Sequence, residues 1–154
     1  MEINPTVLVL CGGKGERLKP LTNKTHKSLT KIDNKTILQH LVEFFTKKKL
    51  KKFIFTTGYK SKQIKNYLKK NFVDLEYDIV DSGNVNIINR LKHVYKFKSM
   101  NTIICYGDTL ANINIKKYFN FLKKNKNKII LTIYRPDIKF GIVSLGKKNI
   151  VKSF

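Results

Sequence analysis

The sequence has no tryptophan, only two cysteines and no long run of apolar residues. A helix that spans a membrane needs about 20 consecutive apolar residues. The apolar run near the start, residues 7–11, is also too short for the core of a signal peptide. We therefore expect a cytoplasmic protein with no membrane partner. Cys11 and Cys105 lack the spacing of a zinc site or a disulfide framework, and their apolar surroundings predict buried free thiols.

Acidic residues and arginines are also scarce. Ten Asp and Glu stand against 32 Lys and Arg, which gives a formal net charge of +22, and only residues 17, 90 and 135 are Arg. Surfaces that bind nucleic acid specifically rely on the planar, bidentate Arg side chain, so we predict no specific nucleic-acid partner. Binding through a Lys-rich surface stays open as an alternative. The positive field would in either case attract nucleotides and sugar phosphates, which are anions.

What the chain does contain is an alternation of short apolar runs and segments of helical period. This pattern is typical of an α/β domain with a mainly parallel sheet. The predicted strands are residues 7–11, 53–57, 77–80, 102–106 and 129–134, and the predicted helices are residues 36–49, 62–70, 87–97 and 115–124. Pro136 and Gly141 should bracket a short crossover. The tail is predicted to form a hairpin from residues 142–145 and 150–154.

A glycine-rich loop follows the first predicted strand, with the sequence Gly12-Gly13-Lys14-Gly15-Glu16-Arg17. Glycines allow a sharp turn and let successive backbone N–H groups form an anion-binding nest. The loop lacks the Gly-Lys-Ser/Thr ending of a Walker loop, and it has Leu18 where the dinucleotide fingerprint requires Gly. Pro20 and Thr22 predict that the chain stays irregular beyond it. With Arg17 and several lysines close behind, the loop predicts a phosphate site.

The segment LCGGKGERLKPLTNKTHKSLTKIDNKTILQHLVEFF resembles the start of the sugar-phosphate nucleotidyltransferases. Their signature is an apolar strand followed by G-G-x-G-x-R-L-x-P-L-T, then Pro-Lys, a short strand and K-P-I-L. The resemblance continues through Thr57-Gly58-Tyr59-Lys60, Tyr106-Gly107-Asp108 and the Phe140-Gly141 stretch, and so covers essentially the whole chain. It implies a Rossmann-like nucleotidyltransferase fold, a three-layer sandwich in which a mainly parallel sheet has helices on both faces.

The resemblance also implies a reaction and a set of site residues. A sugar 1-phosphate oxygen would attack the α-phosphorus of a nucleoside triphosphate and release pyrophosphate, with Mg²⁺ as cofactor. The implied catalytic residues are Arg17, Lys27 and Asp108, the implied metal ligand is Asp108, and the implied nucleotide-binding residues are Leu10, Gly12, Gly13, Lys14, Gly15, Arg17, Lys27, Arg90 and Gly107. A helix N-cap is the alternative for Asp108. His26 stands where the family has Pro, so we expect a looser loop before Lys27 and no metal or catalytic role for His26 itself.

Within the family the chain is most similar to glucose-1-phosphate cytidylyltransferase, on the evidence of Asp81-Ser82-Gly83, Arg90-Leu91-Lys92 and the run that begins at Tyr106. This favours CTP and glucose 1-phosphate as substrates, in the synthesis of a nucleotide sugar for surface polysaccharides. The family continues with a Glu-Lys-Pro-like segment and a later Asp. We therefore expect residues 1–154 to be a nucleotidyltransferase domain that lacks the C-terminal part of the family fold. A catalytically impaired nucleotide-binding or subunit-interaction domain is the alternative, and assembly into a homo-oligomer stays open.

Overall fold

The structure of the protein is a computed structural model, and it describes residues 5–97, 101–125, 129–135 and 143–153. The chain divides into two compact units, Met1–Phe119 and Asn120–Phe154. The strands are β1 (Thr6–Cys11), β2 (Lys31–Ile32), β3 (Lys35–Thr36), β4 (Lys52–Thr57), β5 (Glu76–Asp81), β6 (Thr102–Tyr106), β7 (Ser144–Leu145) and β8 (Val151–Ser153). The α-helices are α1 (Ile37–Lys47), α2 (Ser61–Asn71), α3 (Ile87–His93) and α4 (Ile115–Lys124). None of the helices in the described ranges is long and apolar enough to cross a membrane.

Four strands of the first unit form a parallel sheet in the order β5-β4-β1-β6. Val9 of β1 lies opposite Phe55 of β4 on one side and Cys105 of β6 on the other. All residues of β1 are buried, as expected for a strand with neighbours on both sides and cover on both faces. Because the strands are parallel, their carboxyl ends lie along one edge, which is where open α/β sheets bind ligands.

Helices cover both faces of this sheet. Alternate residues of a strand point to opposite faces, and β1 divides accordingly between two apolar clusters. The larger cluster joins Val7, Val9 and Cys11 to side chains of α1 and α2, and the smaller joins Leu8 and Leu10 to side chains of α3 and the residue that follows it. The predicted α/β fold, with a parallel sheet between helical layers, is therefore confirmed.

Helix α1 shows how local sequence starts an element. The Thr36 hydroxyl accepts a hydrogen bond of 3.0 Å from the backbone N–H of Gln39, which satisfies one of the unpaired N–H groups at the helix start. The Gln39 amide, however, bonds to Glu43 and Tyr67. Only one half of the Thr-x-x-Gln capping box expected from the sequence is therefore formed.

Most predicted elements are observed with small shifts at their ends, with two differences in the first unit. The predicted helix at residues 87–97 ends at His93 and is followed by a single 3-10 turn, Tyr95–Phe97. The second difference is the short hairpin of β2 and β3, for which no separate strands are predicted from the sequence. This hairpin turns at Asp33 and Asn34, both at positive φ, a conformation that Asp and Asn tolerate better than most residues.

In the second unit the predicted strand at residues 129–134 is wrong. Residues 129–135 have no regular structure, and Ile129, Leu131 and Ile133 are each at least 78% exposed. No sheet of the described ranges includes this run. The predicted hairpin is confirmed where it is described, since β7 pairs antiparallel with β8. Residues 136–142, which include the predicted crossover, and Phe154 lie outside the described residues.

Both cysteines are free thiols, as predicted. Cys11 is fully buried in β1, and Cys105 is half-buried in β6. Burial raises the pKa of each thiol to about 12, because a thiolate is poorly solvated in apolar surroundings. Both cysteines are therefore protonated thiols at neutral pH.

Candidate functional site

The candidate site lies at the carboxyl edge of the parallel sheet. The glycine-rich loop follows β1, and Gly107 and Asp108 follow β6, which is the neighbouring strand. The backbone N–H of Gly107 donates a hydrogen bond of 3.0 Å to the carbonyl of Leu10. Leu10 is buried in β1. Through this hydrogen bond its carbonyl holds Gly107 and Asp108 beside the loop.

The glycine-rich loop turns sharply and does not start an α-helix. Gly15 has φ +69° and ψ 36°, a left-handed conformation that glycine adopts without steric cost. The Thr22 hydroxyl donates a hydrogen bond of 2.9 Å to the Gly15 carbonyl, which closes the loop against the residues that follow. These residues form two short 3-10 turns, Glu16–Leu18 and Leu21–Asn23, and the predicted irregular course is confirmed.

Lys27 and Asp108 form an ion pair beside this loop. Lys27 Nζ lies 2.7 Å from Asp108 Oδ2, and the two side chains are 18% and 22% exposed. The same Nζ lies 3.5 Å from the point where a Cβ on Gly13 would stand, so it also faces the loop backbone. A cation, a carboxylate and a glycine backbone therefore meet in one partly exposed place. This combination suits a phosphate that is accompanied by a metal ion.

His26 holds the segment that carries Lys27, a role that sequence reasoning missed. The side chain is fully buried, and its Nδ1 accepts a hydrogen bond of 3.1 Å from the Ser28 backbone N–H, which caps the 3-10 turn Lys27–Leu29. Its own backbone N–H donates to Gln63 Oε1 at 2.8 Å. The expected looser loop is wrong, because His26 adopts φ −61°, which lies in the proline range, and adds a cap that proline lacks.

Burial also determines the charge of His26. Desolvation and, after it, the neighbouring Lys27 cation lower the pKa of His26 to about 4, because both oppose a second positive charge at this place. At neutral pH the imidazole is therefore neutral. A neutral ring has a free lone pair on Nδ1 with which to accept the Ser28 N–H.

Asp108 is the carboxylate that the sequence predicts as metal ligand. In the described ranges of the chain, no group of three or more His, Cys, Asp or Glu is placed to hold a metal ion. Mg²⁺ commonly uses one or two carboxylates and completes its shell with water and substrate phosphates, so Asp108 fits a metal ion that binds together with a phosphate. The helix-cap alternative is wrong, because α4 begins at Ile115 and Asn114 Oδ1 caps it by accepting from the Lys117 N–H at 3.0 Å.

Arg90 lies behind the loop and contacts backbone groups. Its side chain is 5% exposed, and its guanidinium donates to the carbonyls of Thr57, Gly83 and Val85. The contacts of Arg90 are thus with the protein itself. Direct nucleotide binding by Arg90 stays a prediction.

Lys14 and Arg17 are exposed to solvent. Arg17 lies in the 3-10 turn Glu16–Leu18, at the outer end of the loop. The structure therefore brings Lys27 and Asp108 together against the loop, and it leaves Lys14 and Arg17 in solvent. The catalytic role of Arg17 stays a prediction.

Asp81 anchors the loop that follows β5. Its carboxylate accepts hydrogen bonds from Ser61 Oγ at 2.5 Å, Lys65 Nζ at 3.0 Å and the Gly83 N–H at 3.2 Å. Burial by itself raises the pKa of Asp81, but the bonds from Ser61 and Lys65 outweigh it and hold the pKa below its usual value. The carboxylate is therefore ionised and engaged within the protein, which makes it part of the framework at this edge.

Several known proteins are similar to the chain in sequence. The family model described as nucleotidyl transferase matches residues 6–154. D-glycero-alpha-D-manno-heptose 1-phosphate guanylyltransferase of Campylobacter jejuni is 29% identical over 151 residues, which cover 96% of this chain and 66% of that protein. Glucose-1-phosphate cytidylyltransferase of Salmonella typhimurium is 27% identical, with the same shares covered. The chain thus spans just under two thirds of the length of these relatives.

A solved structure resembles the chain as well. The crystal structure of HddC from Yersinia pseudotuberculosis, complexed with GMP-PN, superimposes with a TM-score of 0.69 at 24% identity. The match covers 77% of this chain and 54% of HddC. At this identity the likeness establishes the fold alone.

Proposed function

The chain belongs to the nucleotidyl transferase family, and from this premise we propose that it transfers a nucleotidyl group from a nucleoside triphosphate to a sugar 1-phosphate. The observation that carries the proposal is the Lys27–Asp108 ion pair, 2.7 Å long, beside the glycine-rich loop. The pair offers a cation that suits a phosphate and a carboxylate that suits a metal ion. A cytoplasmic location is part of the same proposal.

In the proposed reaction an oxygen of the sugar 1-phosphate forms a bond to the α-phosphorus. The bond from that phosphorus to the bridging oxygen of the β-phosphate breaks, and pyrophosphate leaves with the electron pair. Such a transfer depends mainly on positioning and on positive charge near the reacting phosphates. The protein can supply both through the loop backbone and through Lys27.

The ion pair must open when the triphosphate binds. Lys27 Nζ, which already faces Gly13, would exchange the Asp108 carboxylate for phosphate oxygens. Asp108 would then be available to hold Mg²⁺, which when bound neutralises charge on the phosphates. His26 keeps the Lys27 backbone in place during this exchange, since its cap on Ser28 does not involve the lysine side chain.

CTP and glucose 1-phosphate are the substrates that we propose first. Their support is the similarity to a glucose-1-phosphate cytidylyltransferase over 96% of the chain, together with Asp81-Ser82-Gly83 and Arg90-Leu91-Lys92. GTP with a heptose 1-phosphate is the second candidate, because a heptose 1-phosphate guanylyltransferase is 29% identical. The two pairs differ in both base and sugar, so one substrate matrix separates them.

The test is pyrophosphate release from each nucleoside triphosphate paired with each sugar 1-phosphate, in Mg²⁺ and in EDTA. We expect release with one preferred pair and only in Mg²⁺. The variant Lys27→Met removes the cation of the ion pair. Lys24→Met, which removes an exposed lysine, is its matched control. Nucleotide binding without pyrophosphate release for any pair would overturn the catalytic proposal and favour the alternative of a catalytically impaired nucleotide-binding domain.

A further inference from the structure

Arg90 is a buried cation whose guanidinium donates hydrogen bonds to three backbone carbonyls. It is one of three arginines among the 32 Lys and Arg residues of the chain, yet the residue is only 5% exposed. Nη1 donates to the Thr57 carbonyl, and Nη2 donates to the carbonyls of Gly83 at 3.0 Å and Val85 at 3.3 Å. Thr57 is the last residue of β4, and the other two lie in the loop after β5. One side chain from α3 therefore links two adjacent strand ends at the site edge.

The same guanidinium lies against Gly12, the first residue of the glycine-rich loop. A Cβ on Gly12 would stand 2.0 Å from Arg90 Cζ and 2.0 Å from Nη1, so glycine is required for this close approach. On its other side, the Gly12 carbonyl accepts a hydrogen bond of 3.3 Å from the Tyr59 N–H. Gly12 therefore lies against the buried Arg90 side chain, and its carbonyl is hydrogen-bonded to Tyr59 in the next loop.

A lysine at position 90 would not reproduce this arrangement. The guanidinium is flat, so it can lie on a glycine backbone, and its fixed fork of donors can bond to several carbonyls at once. A lysine ammonium is a compact, strongly hydrated point charge that prefers water to such a place. The contacts therefore use the geometry of Arg90 as well as its charge.

We propose that Arg90 is a positioning residue of the nucleotide site and acts through Gly12 instead of through the nucleotide. Arg90 fixes the distance between the start of the glycine-rich loop and the ends of β4 and β5. It therefore determines where the loop backbone contacts a phosphate. The proposal rests on the proposed function for the ligand. Its structural part, the restraint on Gly12, can be measured without any ligand.

The first measurement is amide hydrogen exchange in the ligand-free protein, for wild type, Arg90→Lys and Gly12→Ala. The reporters are the Tyr59 N–H, bonded to Gly12, and the Ser82 N–H, which donates to Thr57 at 3.0 Å. We expect about tenfold to hundredfold faster exchange at both reporters in Arg90→Lys, as for loss of a hydrogen bond to a charged group. Amides in the centre of β1 should stay unchanged, which separates local loosening from general destabilisation. Arg135→Lys, at an exposed arginine, is the matched control.

The second measurement is nucleotide affinity in the same variants and in Arg90→Ala with and without low guanidinium chloride. Arg90→Lys should weaken binding of CTP and GTP alike by about tenfold, and free guanidinium should restore part of the binding and of the exchange protection in Arg90→Ala. Arg90→Lys combined with Gly12→Ala should weaken binding by less than the product of the two single effects, because both changes break one contact.

Each outcome has a clear consequence. Unchanged exchange at Tyr59 and Ser82 in Arg90→Lys, with weakened nucleotide binding, would overturn the positioning role and favour direct contact between Arg90 and the nucleotide. Unchanged exchange and unchanged binding would overturn it as well. Faster exchange at both reporters in a chain whose wild type binds no nucleoside triphosphate would refute the proposed function alone, since the exchange experiment uses no nucleotide.

Discussion

The buried His26 should make the stability of the protein fall as the pH is lowered. The folded state holds the pKa of His26 at about 4, against an ordinary value of 6.5. Between these two values the unfolded chain takes up a proton that the folded chain excludes, so the free energy of unfolding decreases as the pH falls. This contribution is fully present above pH 6.5 and is lost as the pH falls to about 4.

The size of the effect follows from the same two values. Each pH unit over which only the unfolded state is protonated corresponds to about 1.4 kcal/mol. The window from 6.5 to about 4 therefore corresponds to a loss of about 3 kcal/mol at its acid end. Since small domains are stabilised by only about 5–15 kcal/mol, such a loss is easily measured.

The assay is urea unfolding at several pH values between 7.5 and 4, for wild type and His26→Asn. Asparagine can still accept the Ser28 N–H through its side-chain oxygen, but it does not titrate. The variant will be less stable than wild type at neutral pH, because it loses the packing of the ring. The difference between the two proteins should then shrink by about 3 kcal/mol as the pH falls towards 4. Carboxylate titration affects both proteins and cancels in the comparison.

His93→Asn, at an exposed histidine, is the matched control and should show the same pH dependence as wild type. A constant difference between wild type and His26→Asn from pH 7.5 to 4 would refute the reasoning. It would mean that His26 is not buried as a neutral ring, and hence that it does not cap the Lys27 turn in the way described.

Three further predictions concern the loop and the ion pair. Gly15→Ala should destabilise the fold by about 1–2 kcal/mol in urea unfolding, because a side chain strains the left-handed conformation and its Cβ would lie 2.9 Å from Thr22 Cγ2. Asp108→Asn should abolish Mg²⁺-dependent pyrophosphate release, and it should tighten nucleotide binding in EDTA by about fivefold, because Lys27 loses a competing ion pair of ~1 kcal/mol. Lys27→Met should weaken nucleotide binding about tenfold, as measured by calorimetry, because a charged hydrogen-bond donor to phosphate is lost.

The controls for these variants come from the same chain. Gly83 has φ +64° and open space where a Cβ would lie, so Gly83→Ala measures the backbone strain without the steric clash. Equal destabilisation by Gly15→Ala and Gly83→Ala would contradict the packing argument. Unaltered nucleotide affinity of Asp108→Asn in EDTA would contradict the competition between Asp108 and phosphate for Lys27.

Most of the secondary structure of the first unit could be predicted from the sequence, because it follows from the spacing of apolar residues within each short segment. A fully apolar run such as residues 7–11 predicts a strand covered on both faces, and β1 is that strand. A Thr followed by apolar residues at helical spacing predicts a helix start at this place, and Thr36 is the N-cap of α1. The apolar pattern of residues 129–134 also predicts a strand, but these residues have no regular structure.

The residues of the candidate site divide in the same way. The glycine-rich loop, Lys27 and Asp108 were predicted from motifs, and the parallel sheet explains why they meet: Asp108 follows the strand next to β1. The sequence alone thus determined the family, most elements of the first unit and the edge at which the site lies. The buried roles of His26 and Arg90 depend on Gln63 and Thr57, which are 37 and 33 residues away in the chain. Only the tertiary structure could decide those roles, because the partners of a buried polar group are chosen by which backbone groups the fold brings to it.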